Sequence, residues 1–311
     1  MFDYKRILKS EKTRYRILYA INFLPDNIMI PIQYQIKTGR KLNLENPQRY
    51  TEKLQWYKLF YRDPLMKECV DKWDVRRYVN ECGLGDILND SFGVFNNPEE
   101  IDWDLLPDKF VIKDTLGSGG RSMIIVEDKS ELNIADANAK MKSWITTSLN
   151  KKNFGREWVY DGKPHRIIIE KLLVGNSEGD LPDYKLFCFN GRVFCSYMME
   201  NYTRHHELGR LGFLNREFEL LSVRRKDFTP MDIQPQKPEN YSKMISIAER
   251  LSQGFPHVRV DLYNINGNII FGEMTFFNGS GYIEFDPDSF DFEMGEQFSL
   301  PLKMTKQKSK R

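Results

Sequence analysis

The segment VRVDLYNINGNIIFGEMTFFNGSGY, residues 258–282, alternates apolar and polar residues on both sides of an Asn-Gly pair at 266–267. Such alternation around such a pair predicts two antiparallel strands joined by a tight hairpin turn. Asp261 and Glu273 stand twelve positions apart across that turn, so the hairpin brings both carboxylates to one face. Hard oxygen donors in that arrangement suit magnesium. Arg259 lies two residues before Asp261, on the same strand face, and offers a cation to a terminal phosphate. A surface ladder of Arg and Asp is the structural alternative.

Further hairpin signals lie upstream. DYKLFCFNGRVFCSYMM, residues 183–199, again centres on Asn-Gly, and KFVIK, TLGSGGR and SMIIVE, residues 109–127, read as strand, glycine-rich loop and strand. Helices are expected over residues 2–24, over 46–62 with Thr51 as cap and an aromatic face, and from Asp71 to Cys82, closed at Gly83. Others are expected from Asp102, over 134–150 and over 240–253. The fold class is α+β.

Composition narrows the partners. The 311 residues are 41% apolar, 29% charged and 13% aromatic, a globular profile. Lys plus Arg total 46 against 44 acidic residues, which gives no general reason to bind nucleic acid. Cys69, Cys82, Cys188 and Cys195 show no CxxC spacing, so a reducing compartment is expected. No window approaches the roughly 20 apolar residues of a membrane span, and no signal-peptide core opens the chain. The expected location is the cytoplasm. Lys5, Arg6, Lys9, Lys12, Arg14, Arg16, Lys37, Arg40 and Lys41 nevertheless make residues 1–41 basic, which leaves open a peripheral contact with the inner face of the membrane.

A nucleoside triphosphate needs cations at its phosphates, a clamp for its base and carboxylates for its metal. The GSGG loop at 117–120 lets backbone N–H groups approach phosphates, although a plain hairpin loop has the same composition. No Walker loop or dinucleotide fingerprint is present. Lys72, Lys113 and Lys185 accompany the loop; each alone reads as a surface lysine. Cys188 and Cys195 alternate with Phe187, Phe189 and Phe194, as buried structural thiols do. The loop NYTRHHELGR gathers Arg204, His205, His206 and Arg210, a set for an anionic sugar or simply a solvated loop.

In chain order DKW (71–73), FVIKDTLGSGG (110–120), IIIEKLL (167–173), DYKLFCFNGRVF (183–194) and the 258–282 segment resemble the successive ATP-grasp motifs. NPQRYTEKLQWYKL followed by DKWDVRRYV further resembles the TupA-like ATP-grasp family, named for teichuronopeptide biosynthesis. The resemblance implies an ATP-grasp fold with a helical N-terminal extension. Its cofactors would be ATP and Mg2+. Lys72 and Lys113 would contact the α- and β-phosphates, and Ser118, Gly119 and Gly120 would cover them. Glu170, Lys171 and Leu173 would form the hinge that reads adenine, and Glu178 the ribose carboxylate. Lys185 and Arg259 would act on the γ-phosphate or acylphosphate. Asp261 and Glu273 would ligate Mg2+, with Thr275 where many ATP-grasp enzymes have Asn. Ser280 would bind the carboxylate substrate.

The boundaries that follow are a basic helical region (1–70), the N-terminal and lid subdomains (71–175), the C-terminal subdomain (176–300) and a disordered basic tail (301–311). The implied reaction is ATP-dependent amide formation through an acylphosphate. The implied partners are a uronic-acid-containing glycan or sugar nucleotide and an amine or amino acid, in bacterial surface polysaccharide biosynthesis. A sugar kinase and a non-catalytic ATP-binding scaffold at the membrane are the alternatives.

Overall fold

The computed structural model describes residues 16, 20–117, 122–146, 153–175, 181–200 and 209–301. Four helices lead the described chain: α1 (Asp26–Thr38), α2 (Tyr50–Phe60), α3 (Pro64–Cys69) and α4 (Val75–Glu81). Most of the helix expected over 2–24 and most of the basic tail lie outside the described residues; at its described end Ala20 is helical and residues 21–24 form a turn and bend instead. The cap of α2 is Arg49, not Thr51. Glu52 Oε2 accepts the N–H of Gln48 at 3.0 Å and of Arg49 at 3.2 Å, reaching back as a capping-box acid does. Thr51, inside the first turn, gives its N–H and hydroxyl to Asp291 at 2.9 and 2.8 Å.

The helix expected from Asp71 starts four residues later. The Asp71 carboxylate accepts the N–H of Trp73 and Asp74 at 2.9 and 3.0 Å, which holds 71–74 as a turn. Lys72 therefore rides on that turn, its own N–H bonded to the carbonyl of Thr115 at 2.9 Å. The helix closes as expected, with Gly83 left-handed at φ 68°. At Asp102 only a short 3-10 turn forms, Trp103–Leu105, because Pro107 disfavours helical backbone at Leu106.

Strands β1 (Ser91–Phe95), β2 (Phe110–Asp114), β3 (Met123–Val126) and β4 (Ile167–Lys171) make an antiparallel sheet in the order β1-β4-β2-β3. Alternation splits its residues. Phe110, Ile112, Ile167 and Ile169 pack with Met141 and Trp144 of α5 (Ile134–Ile145), while Val111, Lys113 and Glu170 take the opposite face.

The larger sheet uses β5 (Asp183–Phe189), β6 (Arg192–Glu200) and β7 (Arg210–Asn215), then, after the short β8 (Arg224–Arg225), β9 (Thr229–Pro230), β10 (His257–Ile265) and β11 (Asn268–Thr275). Its order is β11-β10-β5-β6-β7-β9, and β8 pairs separately with β12 (Phe285–Asp286). Both expected Asn-Gly turns form: Asn190 and Gly191 have φ 50° and 77°, Asn266 and Gly267 φ 50° and 84°. Two consecutive left-handed residues give the primed turn whose twist matches the flanking strands. Helix α6 (Tyr241–Leu251) covers one face with Met244, Ile247, Ala248 and Leu251. On the other, Tyr50, Leu54 and Tyr57 of α2 join Phe187 and Phe189 in the same core, and α7 (Ser289–Gln297) backs α2.

Candidate active site

Between the two sheets lies a cleft of about 600 Å³. Its chemistry starts from one rung of the larger sheet. Asp261 on β10 pairs with Lys185 on β5 and with Glu273 on β11, and Lys185 pairs onward with Tyr197 on β6. Near the turn, Ile265 pairs with Asn268, a register that would set Gly272 opposite Asp261. A bulge after Asp261 shifts it by one and brings Glu273 there instead. Gly272 makes this possible, since a Cβ would lie 3.0 Å from the Asp261 carbonyl oxygen.

Arg259 is almost wholly buried and organises the rung. Its Nε and Nη2 donate to the two Asp261 oxygens at 2.6 Å each, a bidentate fork. Nη2 also reaches Glu273 Oε1 and Thr275 Oγ1 at 3.0 Å, and Nη1 reaches Asn278 Oδ1 at 2.5 Å. Lys185 Nζ lies 2.5 Å from both Asp261 Oδ2 and Asp183 Oδ2. Burial pushes the Asp261 carboxyl up to about 6, against the pull of Arg259 and Lys185. Burial also opposes ionisation of Glu273, yet Arg259, Lys185 and Lys72 prevail and hold it at about 2. Asp183 and Asp261 overcome burial to keep Lys185 charged.

The smaller sheet supplies the facing wall. Lys113 Nζ bonds Glu170 Oε2 at 2.8 Å, with Arg76 3.7 Å from the other oxygen, and Lys72 Nζ donates to the carbonyl of Gly117. Lys171 and Leu173 line the cleft where β4 ends, and Leu88, Val111, Met123 and Ile125 add apolar walls. Of the sequence-derived candidates, Lys72, Lys113, Glu170, Lys171, Leu173, Lys185, Arg259, Asp261, Glu273, Thr275 and Ser280 all line this one cavity. Ser118, Gly119, Gly120, Glu178, Arg204 and His205 lie outside the described residues. Arg210 is not brought to the cleft: it opens β7, half exposed, 3.9 Å from Asp232.

Several lining residues escaped sequence reading. Glu157 accepts the Ser280 hydroxyl, and buried Lys58 ties the two segments, donating to the carbonyls of Gly155 at 2.9 Å and Ser280 at 2.8 Å. Burial lowers Lys58 to about 7 and raises Glu157. Arg156 and Ser280 both hold left-handed backbone, φ 57° and 53°, which non-glycine residues adopt at a cost of about 1–3 kcal/mol where function or packing demands it. Asn278 Nδ2, buried at the cleft, has no hydrogen-bond partner among the described residues. Arg225 also borders the cavity. Only the left-handed propensity of NGSG hinted at this floor.

The donor set fits a divalent ion bound with a triphosphate. Mg2+ is held by one or two carboxylates plus phosphate oxygens and water rather than by a full protein cage. Asp261 and Glu273 share a rung; the Glu273 side chain is 41% exposed to the cleft, and the Thr275 hydroxyl stands beside it. Among the described residues no cluster of three His, Cys, Asp or Glu forms an independent metal cage. Cationic side chains outnumber carboxylates along the walls, as a polyanion requires. Cys188 and Cys195 are fully buried, with burial raising both thiols, so neither is a nucleophile.

Among solved structures the chain is similar to D-alanine–D-alanine ligase from Bacillus anthracis, at 14% identity over 67% of this chain and 57% of that one, TM-score 0.38. It is similar to L-amino acid ligase from Bacillus licheniformis, at 14% identity over 69% and 42%, TM-score 0.40. It also resembles an N5-carboxyaminoimidazole ribonucleotide synthetase in its ADP complex, at 14% identity over 81% and 57%, TM-score 0.43. The chain thus spans about half the length of these structures. No curated protein matches the sequence. The TupA-like ATP-grasp model matches residues 52–299, so with the motif order and the two-sheet cleft in place the chain belongs to the TupA-like ATP-grasp family.

Proposed function

We propose that the protein is an ATP-dependent carboxylate–amine ligase that forms an amide through an acylphosphate. The observation that carries this reading is the Lys185–Asp261–Glu273 rung, braced by Arg259 and faced across one cleft by Lys72 and Lys113. Lys72 and Lys113 hold the α- and β-phosphates, and the hinge at Glu170, Lys171 and Leu173 takes the adenine against the apolar wall. Asp261, Glu273 and Thr275 would hold Mg2+, which when bound would supply positive charge against the phosphates.

A substrate carboxylate oxygen attacks the γ-phosphorus, and the bond to the ADP oxygen breaks. Lys185 and Arg259 stabilise the charge gathering on the transferring group. The amine nitrogen then attacks the acyl carbon, phosphate leaves, and the amine proton passes to Glu157, whose raised affinity for a proton suits a base in a desolvated floor. Ser280 orients the carboxylate. Arg225, which borders the cleft where Arg210 does not, takes the anionic-sugar contact.

The substrate class is a uronic acid, in a glycan or sugar nucleotide, joined to an amine or amino acid. Support comes from the family and from the cationic cleft. The test is incubation with ATP, Mg2+, uronic acids and amino acids, following ADP, phosphate and amide together. Equal release of ADP and phosphate with amide formation is the expected outcome. Phosphate retained on a sugar product would make the protein a kinase, and no turnover with any acceptor would leave an ATP-binding scaffold.

A further inference from the structure

Helix α1 carries apolar side chains on two faces. Met29, Ile30 and Tyr34 are buried, whereas Ile28, Ile32 and Ile36 are 46%, 40% and 41% exposed. Residues four apart align along one stripe of a helix. Asn27 and Gln35, exposed beside them, are uncharged, and Phe23 just ahead is 81% exposed. Single exposed apolar residues are ordinary; an aligned run of them marks a surface that another body covers.

Charge selects the occupant. The sequence leading into α1 carries Lys5, Arg6, Lys9, Lys12, Arg14 and Arg16 against Asp3 and Glu11, and exposed Lys41 follows the helix. An uncharged apolar stripe joined to a basic stretch matches an anionic bilayer, where side chains enter the headgroup boundary and cations meet acidic lipids. A second copy of this chain would set basic residues against basic residues. We propose that the outer face of α1, with Phe23 ahead of it and Lys41 behind it, docks the protein on an anionic membrane surface. No helix among the described residues is long and apolar enough to cross a membrane, so the contact is peripheral.

The inner face of the same helix gives the docking a purpose. Gln33 Nε2 donates to the Phe154 carbonyl at 3.1 Å, the Tyr282 hydroxyl donates to Gln33 Oε1 at 2.8 Å, and Lys37 sits 4.3 Å over the Tyr282 ring. These two segments are the ones that carry Glu157 and Ser280. Docking therefore brings the acceptor end of the cleft within about one helix diameter, ~10 Å, of the lipid, a geometry suited to an acceptor held on a lipid.

The experiment is flotation of the full chain with phosphatidylcholine vesicles, with and without phosphatidylglycerol, at low and high salt. The protein is expected to float only with the anionic vesicles and to lose binding as salt rises. The variant Ile28→Ser/Ile32→Ser/Ile36→Ser, with circular dichroism to show that it folds, is expected to bind at least ~10-fold more weakly. Ile32→Glu serves in its place should the triple variant misfold. Failure of the natural chain to float, flotation unaffected by either variant, or equal binding to neutral vesicles would overturn the proposal. So would a dimer, seen by sedimentation without lipid, that the same substitutions dissolve.

Discussion

At the scale of single residues, Arg259 is the most constrained group in the cleft. It gives hydrogen bonds to Asp261, Glu273, Thr275 and Asn278 from one buried guanidinium. Lysine keeps the charge but cannot make the fork. Arg259→Lys is expected to lower kcat by about 10²–10³, the usual effect of removing one preorganised donor. Lys113→Arg, which lengthens the contact with Glu170 and the phosphates, should also impair turnover; steady-state ATP consumption measures both, and unchanged rates would remove these residues from the phosphate site. His257 makes a different prediction, about stability. Its Nδ1–H donates to the Cys188 carbonyl at 3.0 Å and its Nε2 accepts the Tyr50 hydroxyl at 3.0 Å, so the buried ring is neutral. Burial, with a smaller push from Arg259, lowers its pKa to about 3 from the ordinary 6.5. The unfolded chain therefore takes up a proton that the folded chain refuses. Stability contributed by the neutral ring is full above pH 6.5 and is lost as pH falls toward 3. Between pH 7 and 5.5 the loss attributable to this residue is about 1 kcal/mol. Urea unfolding at the two pH values, compared with His257→Gln, isolates it: the variant should lack that increment.

At the scale of elements, the hairpin β10–β11 was legible because Asn-Gly and alternation have one physical reading, and Asp261 and Glu273 do pair across it. What alternation alone did not reveal is the bulge. A regular ladder would have set Gly272 opposite Asp261, and the cue for the shift is only the missing side chain at 272. Gly272→Val should disrupt the bulge, costing about 1–3 kcal/mol through overpacking and abolishing Mg2+-dependent activity. Calorimetry and activity together decide it: a stable but active variant would show that Glu273 reaches its place without the bulge. The start of α4 was misread for a related reason. Asp71 looks like a helix cap, yet its carboxylate closes a turn that presents Lys72 to the Gly117 carbonyl. Of the floor made by Lys58, Glu157 and Ser280, only Ser280 was named from the sequence; Lys58 and Glu157 were illegible because they lie far from it in sequence and meet it only through tertiary packing.

At the scale of the whole molecule, the helical beginning and the catalytic body share one interior. The ATP-grasp motifs begin at Asp71, yet Tyr50, Leu54 and Tyr57 lie in the same core as Phe187 and Phe189, and the Tyr50 hydroxyl reaches His257 on β10. Helix α2 is fastened again from behind, where Thr51 binds Asp291 and Lys53 donates to the carbonyls of Gly295 and Phe298 at 2.7 and 2.9 Å. A Cβ on Gly295 would fall 2.0 Å from the Gln48 carbonyl oxygen, so the helices meet backbone to backbone. Leu54→Ala alone should cost about 2–5 kcal/mol. Removing residues 1–70 would strip three such side chains together, a loss comparable with the roughly 5–15 kcal/mol that holds a domain folded. A chain starting at Asp71, although it keeps the motifs, is therefore expected to show no cooperative thermal transition, whereas a chain starting at Ala20 keeps one. A folded, ATP-binding fragment from Asp71 would instead mean that the rung can stand on the sheets alone, and that α2 serves only to position α1 and the acceptor floor.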